Sequence, residues 1–361
     1  MSQHTLSIIV PCYNEERTLE KCILRLLRIA SDALRLEIVI VDDCSTDLSM
    51  TIARTIAQRY GSMIVVLGHA VNQGKGAAIR TGMAAVTGDF VAIQDADLEY
   101  NPEELLKLIE PLKEGRADAV FGSRFLSAGA NRVLYFWHTM GNKFLTFLSN
   151  MFTDLNLTDM ETCYKVFRRD KLLGLTLQEN RFGFDPEIVA KAAQKKLRIY
   201  EIGISYDGRT YEEGKKIGWK DGFRALYCIF HYNAFALPLP MQLLIYFFIG
   251  GFSALINLAS FVLCMQMNIP LIVSACFSFA ISAFVNYRLC IHWLFKHNVR
   301  WSLALEIFYY CLFVTGVGAM DVMLTYFITA ATERPFFAKA IASLLGFVIN
   351  FAGRKLFIFR R

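Results

Sequence analysis

Asp95-Ala96-Asp97 places two carboxylates two residues apart. On an extended segment such residues point the same way. A divalent ion such as Mg2+ or Mn2+ takes hard oxygen ligands and shares its sphere with phosphates. It neutralises the charge that develops on a departing diphosphate. Two acids so spaced are common in loops, so the neighbouring motifs matter more. Pro11-Cys12-Tyr13-Asn14-Glu15, Val41-Asp42-Asp43-Cys44-Ser45-Thr46-Asp47 and Asn72-Gln73-Gly74-Lys75-Gly76 each follow a short apolar run, as Asp95 does. Acidic side chains hold base or ribose groups by hydrogen bonds, Lys75 meets phosphate charge, and glycines permit tight turns.

These motifs need a frame that gathers strand ends. Strands are expected at 6–10, 37–41, 63–68, 90–94 and 119–122. Helices are expected at 13–33, 48–60, 76–86 and 102–114. Short apolar strands alternating with helices predict an α/β fold with a mostly parallel, Rossmann-like sheet covered on both faces. Ligands of such sheets bind at the carboxyl ends of the strands, where all four motifs fall.

The composition changes after residue 238. Long apolar runs raise the hydrophobic fraction of the 361 residues to 55%, above the soluble range. Spans are expected at 241–265, 271–294, 303–330 and 336–359, each long enough to cross a bilayer core. Lys296 and Arg300 mark the second connection, and Arg354, Lys355, Arg360 and Arg361 mark the C-terminus. The positive-inside rule then puts both termini and the first domain in the cytoplasm. The expected division is 1–215, an amphipathic linker at 216–238, and a membrane domain at 239–361. An aromatic stretch at 134–152 suits the sheet or a membrane interface. Another at 219–232 suits an interfacial helix.

Val285-Asn286-Tyr287 and Ile349-Asn350-Phe351 match at an offset of 64 residues, as do Asn257 and Asp321. Two helices per unit make this a parallel duplication. The four polar residues should face the bundle interior, either as interhelical hydrogen bonds or for substrate handling. The net charge of +6 gathers beside the apolar runs and at Lys215, Lys216, Lys220 and Arg224. This favours anionic lipid heads or phosphates, and no nucleic-acid module is present. The nine cysteines form no CxxC pair or zinc spacing, so no disulfide framework is expected and a reducing, cytosolic side is implied. No signal peptide is expected at the start.

The order and wording of the strand-end motifs resemble the inverting family 2 glycosyltransferases of GT-A fold. The likeness is greatest to the dolichyl/polyprenyl-phosphate sugar synthases and covers about residues 5–235. It implies that Pro11, Tyr13, Asn14, Glu15 and Asp43, with Asp42 alongside and Lys75 on the phosphates, bind the nucleotide-sugar. It implies that Asp95 and Asp97 bind metal and diphosphate, with Glu99 as a third ligand. Asp97, Arg124 and Arg209 are the implied catalytic residues. Arg124, Arg209 and Lys215 would grip the acceptor phosphate, and Arg132, His138 and Lys143 are weaker candidates for that surface. Asp159-Met160-Glu161-Thr162 departs from the Asp-Pro-Thr of the mannosyl synthases, so the donor stays open among GDP-mannose, UDP-glucose and UDP-N-acetylglucosamine. Asp185-Pro186-Glu187 either contacts sugar or caps a helix. The second half is similar to the GtrA-like four-helix family on its two Asn segments, which implies product translocation, or anchoring and acceptor delivery.

A lipid monophosphate has a second pKa near ~6 and is already an anionic nucleophile at neutral pH. A hydroxyl acceptor would need a carboxylate base, and this alternative stays open. So do a flippase with a nucleotide-sugar-sensing domain, and a homo-oligomer. The stretch from Gly68 to Lys75 is one residue too long for a P-loop. Gln178-Glu179-Asn180-Arg181-Phe182 is set aside as a chance likeness to the QxxRW of processive synthases.

Overall fold

A computed structural model describes residues 3–126, 132–133, 135–208, 219–233, 237–294 and 303–358. Two compact units divide the chain, Met1–Ala236 and Leu237–Arg361.

The first unit runs β1 (His4–Cys12), α1 (Leu19–Leu27), β2 (Leu34–Asp42), α2 (Ser49–Tyr60), β3 (Ile64–Gly68), α3 (Lys75–Met83), β4 (Phe90–Ile93), α4 (Leu105–Lys113), β5 (Ala119–Ser123), α5 (Phe136–Thr153), β6 (Lys165–Arg168), α6 (Arg169–Leu173), α7 (Phe184–Gln194), β7 (Ile199–Gly203) and α8 (Trp219–Asn233). One sheet holds all seven strands in the order β3-β2-β1-β4-β6-β5-β7. β1, β2, β3 and β4 pair in parallel, as do β5 and β7. Ile8, Ile9, Val10, Val39, Ile40 and Val41 are buried as consecutive runs, as expected of a parallel sheet covered on both faces. α1 buries Leu19, Cys22, Ile23 and Leu26, the spacing of one helical face.

Two expectations are corrected. The first helix starts at Leu19, not residue 13. Asn14 takes φ 54, and the residues after it bend into a loop that meets the end of β2. Strands β6 and β7 are additional. β6 runs antiparallel between β4 and β5, and its four residues show too little alternation to stand out in sequence. α8, within the expected 216–238 stretch, packs on the rest of the first unit. Ala225, Cys228 and Ile229 are buried, and Phe230 meets Phe152 of α5 edge-on at 4.9 Å. Its Phe223 and Tyr227 stay exposed, as do Phe136, Trp137, Phe144 and Phe147 of α5.

The second unit consists of α9 (Leu239–Gln266), α10 (Leu271–Trp293), α11 (Leu303–Thr332) and α12 (Pro335–Gly353). α9, with mean hydropathy 2.0, is long and apolar enough to cross a membrane. The expected fourth span stops short as α-helix at Gly353 and widens into a π-helical turn at Arg354–Ile358. A Cβ at Gly353 would enter the Phe313 ring. Asn286 faces inward, donating to Ser253 Oγ at 3.1 Å. Asn257 and Asn350 are half-buried. The Asp321 side chain and the connection with Lys296 and Arg300 lie outside the described residues, as do Arg360 and Arg361.

Candidate active site

Residues after β1 and β2 hold one another in place. Asn14 N donates to Ser45 Oγ at 3.0 Å, and Asn14 Oδ1 accepts from Thr46 N at 2.8 Å. Glu15 N donates to Ser49 Oγ at 2.8 Å, and Glu16 N to Asp47 Oδ2 at 3.0 Å. Asn14 thus shapes the loop with its side chain, while Tyr13 stays exposed.

The adjacent acids Asp42 and Asp43 have different surroundings. Asp43 gathers the loop after β3: its Oδ1 accepts from Gln73 N at 2.8 Å and its Oδ2 from Gly74 N at 2.7 Å. His69 Nδ1 lies 2.7 Å from Asp43 Oδ1, and its Nε2 2.9 Å from Thr81 Oγ1. With the carboxylate accepting, Nδ1 carries the proton. Asp42 is 2% exposed. Its Oδ2 accepts from Ser45 N at 3.0 Å, while its Oδ1 is buried without a partner.

That loop turns at Gly74, φ 99, directly into α3. The 179–181 segment lies behind it: Ala77 N donates to Asn180 O at 3.1 Å, and Arg80 donates to Glu179 O and Asn180 Oδ1. A Cβ at Gly74 would sit 2.5 Å from Asn180 O. Gly74→Ala is therefore expected to destabilise the unit by about 1–3 kcal/mol and to weaken nucleotide binding. Thermal unfolding and nucleotide titration check this, and an unchanged variant would remove the turn from the argument.

Lys75 Nζ reaches Asp95 Oδ1 at 2.6 Å. Burial disfavours both charges, but each favours the other more. Lys75 is held well above the usual lysine value and Asp95 below the usual carboxylate value. Asp97 is 7% exposed, and its Oδ1 accepts from Glu99 N at 3.2 Å. Glu99 Oε2 accepts from Tyr206 OH at 2.7 Å. Among the described residues no three metal-ligating side chains converge, so a metal here would need other oxygens besides Asp95 and Asp97.

Beyond β5, Arg124 meets Asp159 through both prongs: Nε to Oδ2 at 2.6 Å and Nη2 to Oδ1 at 2.8 Å. This pair is buried, not the surface salt bridge a lone Arg suggests. Burial alone would lower the Arg124 pKa, but the Asp159 carboxylate holds it well above the usual value. The guanidinium lies 5.1 Å over the Tyr206 ring. Lys165 and Asp185 form a second buried pair at 2.5 Å. Between the pairs, burial and the Asp185 carboxylate push Glu161 up to about 8. Its Oε1 is buried without a partner.

Two family models match the chain: glycosyl transferase family 2 over residues 7–174, and the GtrA/DPMS transmembrane domain over 245–359. The chain joins a family 2 glycosyl transferase to a GtrA/DPMS transmembrane domain. The dolichol-phosphate mannosyltransferase of Pyrococcus furiosus is 26% identical over 97% of this chain and 96% of its own length. The low-salt glycan biosynthesis hexosyltransferase of Haloferax volcanii is 30% identical over 61% of this chain and 52% of its own. A dolichyl-phosphate beta-glucosyltransferase of Trichomonas vaginalis is 31% identical over 56% and 65%. The chain thus spans about half to two thirds of the length of the latter two. The crystal structure of glucosyl-3-phosphoglycerate synthase from Mycobacterium tuberculosis, with Mn2+, uridine diphosphate and glucosyl-3-phosphoglycerate, shares the fold. Its TM-score is 0.50 at 19% identity, covering 65% of this chain and 81% of that one.

In the transferase unit, the Lys75–Asp95 pair joins the motif after β3 to the motif after β4. Hydrogen bonds join the motifs after β1 and β2, and Asp43 joins these to the β3 loop. Arg132 donates to Gly208 O at 2.8 Å. Lys143 Nζ lies 5.5 Å over the Phe125 ring. Arg209, Lys215 and Lys216 lie outside the described residues. Sequence reasoning named Asp159 only within a departing motif and missed its pairing with Arg124, and it missed Lys165. It also missed Glu179, which accepts from Arg224 at 2.7 Å and from Tyr232 OH at 3.0 Å. The discarded 178–182 segment therefore links the Gly74 turn to α8. Asp185 does more than cap a helix, because it neutralises Lys165.

With its pKa pushed up to about 8, the protonated form of Glu161 is favoured at neutral pH. Its ionisation on the alkaline side would put a new negative charge beside Asp185. Glu161→Gln keeps a neutral side chain of the same shape. It is expected to retain activity at pH 7 and to lose the alkaline decline centred near pH 8. Matching pH–rate profiles in wild type and variant would refute this role.

Proposed function

We propose that the chain transfers a hexose, with inversion, from a nucleoside-diphosphate sugar of the GDP-mannose or UDP-glucose class to the phosphate of a polyprenyl or dolichyl phosphate. The reaction would take place at the cytosolic membrane surface, with both termini cytoplasmic. The observation that carries this reading is the Lys75–Asp95 contact, which joins a phosphate-binding turn to the carboxylate pair at the end of β4.

Asp42 Oδ1, buried and unpartnered, suits an N–H of the base. Lys75 suits the diphosphate. Asp95 and Asp97 fit a hard dication, and Mg2+ or Mn2+ held there would neutralise the leaving diphosphate. Glu99, engaged by Tyr206, is the weaker third ligand. The manganese in the mycobacterial synthase supports this fit.

The acceptor is inferred from what the cluster lacks as well as what it holds. Asp159 and Asp185 are committed to Arg124 and Lys165, and burial raises the pKa of Glu161. An acceptor that brings its own negative charge needs no base and suits the site. Arg124 is held by Nε and Nη2, and its Nη1 makes no hydrogen bond among the described residues. That nitrogen suits a phosphate oxygen. Arg209 and Lys215 are proposed to assist. The near full-length match to a dolichol-phosphate mannosyltransferase, membrane unit included, supports a lipid acceptor.

The test uses the purified full chain with Mn2+, polyprenyl phosphate and labelled GDP-mannose or UDP-glucose. An acid-labile lipid-linked sugar of inverted anomeric configuration is expected. In sealed vesicles it should form only when the donor is on the cytosolic face. An acid-stable glycoside would reassign the acceptor to a hydroxyl, and no lipid-linked product from any common donor would sink the reading.

A further inference from the structure

Arg354 lies 5% exposed in the membrane unit. Every partner of its guanidinium among the described residues is neutral. Nη1 donates to Asn286 Oδ1 and lies 3.7 Å from Cys290 Sγ. The Tyr310 and Tyr246 rings sit 4.8 and 5.5 Å from its central carbon. Nε is buried with no acceptor. A cation taken out of water without a counter-charge is strongly disfavoured. Two ring contacts and one amide oxygen do not replace an anion.

The cluster lies at one end of the bundle, where α9 and α11 begin and α10 and α12 end. Many of the unit's outward side chains are apolar, Phe247, Phe248, Phe284 and Leu344 among them, while Arg288 and His292 are exposed near this end of α10. The apolar flank favours an anion carried on a lipid, and the exposed Arg288 adds positive charge at this end. The planar fork of Arg matches phosphate oxygens. A second orphan narrows the headgroup. Asn350 Oδ1, four residues before Arg354, is buried without a donor, and residues so spaced share a helical face. In the 64-residue repeat Asn350 corresponds to Asn286, and Arg354 to Cys290. Asn286 receives the guanidinium, but the equivalent bond at Asn350 is missing, since a thiol stands at 290. Arg354 Nε lacks an acceptor and Asn350 Oδ1 lacks a donor, and a phosphodiester carrying a hydroxyl provides both.

We propose that this end of the membrane unit binds a lipid phosphodiester with a hydroxylated headgroup, the phosphate on Arg354 and a hydroxyl on Asn350. Two sources share that chemistry: phosphatidylglycerol of the bulk membrane, and a lipid-linked hexose phosphate. Only the second rests on the proposed reaction.

Native mass spectrometry of the detergent-solubilised full chain counts retained lipid after titration with phosphatidylglycerol, phosphatidic acid, phosphatidylcholine or a synthetic polyprenyl-phosphate hexose. Wild type should retain one hydroxylated phosphodiester in preference to phosphatidylcholine. Arg354→Gln should weaken it on the order of tenfold or more. Arg354→Lys, which keeps the charge without the fork, should fall between and covers the case of a Gln variant that fails to fold. Asn350→Ala should weaken the hydroxylated lipids but not phosphatidic acid. Arg124→Gln should leave this binding unchanged, which separates it from acceptor binding in the transferase unit. Tighter retention of the hexose phosphate assigns the site to the transfer product, and tighter retention of phosphatidylglycerol assigns it to the bulk membrane. If the transfer reaction itself fails, the phosphatidylglycerol arm still tests the site. Equal retention by wild type and Arg354→Gln overturns the proposal, and so does displacement of the lipid by equimolar inorganic phosphate.

Discussion

Asp97→Asn should lower sugar transfer on the order of 10³-fold while leaving the unit folded. The substitution is nearly isosteric. Asparagine keeps an Oδ1 that can accept from Glu99 N, as Asp97 does at 3.2 Å, so the loop after β4 keeps its shape. What is lost is one negative charge at a site 7% exposed to solvent, where water screens little. If that charge helps to hold a dication against the leaving diphosphate, its loss acts most strongly where diphosphate charge is greatest, in the transition state. kcat should therefore fall far more than the donor KM rises. Glu99→Gln makes the contrast. Glu99 is already engaged by Tyr206, so its neutralisation should cost less than about tenfold. Steady-state transfer at saturating Mn2+, with melting temperature as the folding control, measures both. An Asp97→Asn enzyme that keeps a tenth of wild-type activity would remove Asp97 from the catalytic centre.

The legible parts of this protein are those written in local pattern. Consecutive buried residues such as Ile8-Ile9-Val10 and Ile38-Val39-Ile40-Val41 announce parallel strands, and the polar motif after each announces a site at the sheet's carboxyl edge. Contacts that depend on distant partners were not legible. Arg124 finds Asp159 35 residues away, and Glu99 finds Tyr206 107 residues away. No spacing rule reports such pairs, because the sheet brings them together only once β6 has inserted between β4 and β5. Asp42 and Asp43 make the same point at closer range. Adjacent and chemically identical, they differ because only Asp43 faces the backbone of the β3 loop. In the membrane unit the repeated Asn signal was visible in sequence. The unequal partners of Asn286 and Asn350 were not, because they depend on which helix end Arg354 reaches.

Asp159→Ala should cost about 3–5 kcal/mol, because it leaves the Arg124 guanidinium buried without its counter-charge. For a unit of this size that lowers the apparent melting temperature by about 6–20 °C. The Arg124 side chain is only 11% exposed and Asp159 is fully buried, so water cannot replace the lost carboxylate. Transfer should fall as well, since Asp159 fixes the fork through Nε and Nη2 and so sets where Nη1 points. Loss of activity in an unstable variant does not separate aim from folding, but the double variant does. Arg124→Met with Asp159→Leu removes both charges and fills the space with apolar side chains. A buried ion pair replaced in this way is often no less stable than the original. The double variant should therefore regain most of the melting temperature that Asp159→Ala loses, yet remain inactive with a polyprenyl phosphate acceptor. Calorimetric scans and transfer assays on wild type, the single variant and the double variant complete the comparison. If stability and transfer return together in the double variant, Arg124 is a structural pin. If stability returns alone, the guanidinium acts on the acceptor phosphate.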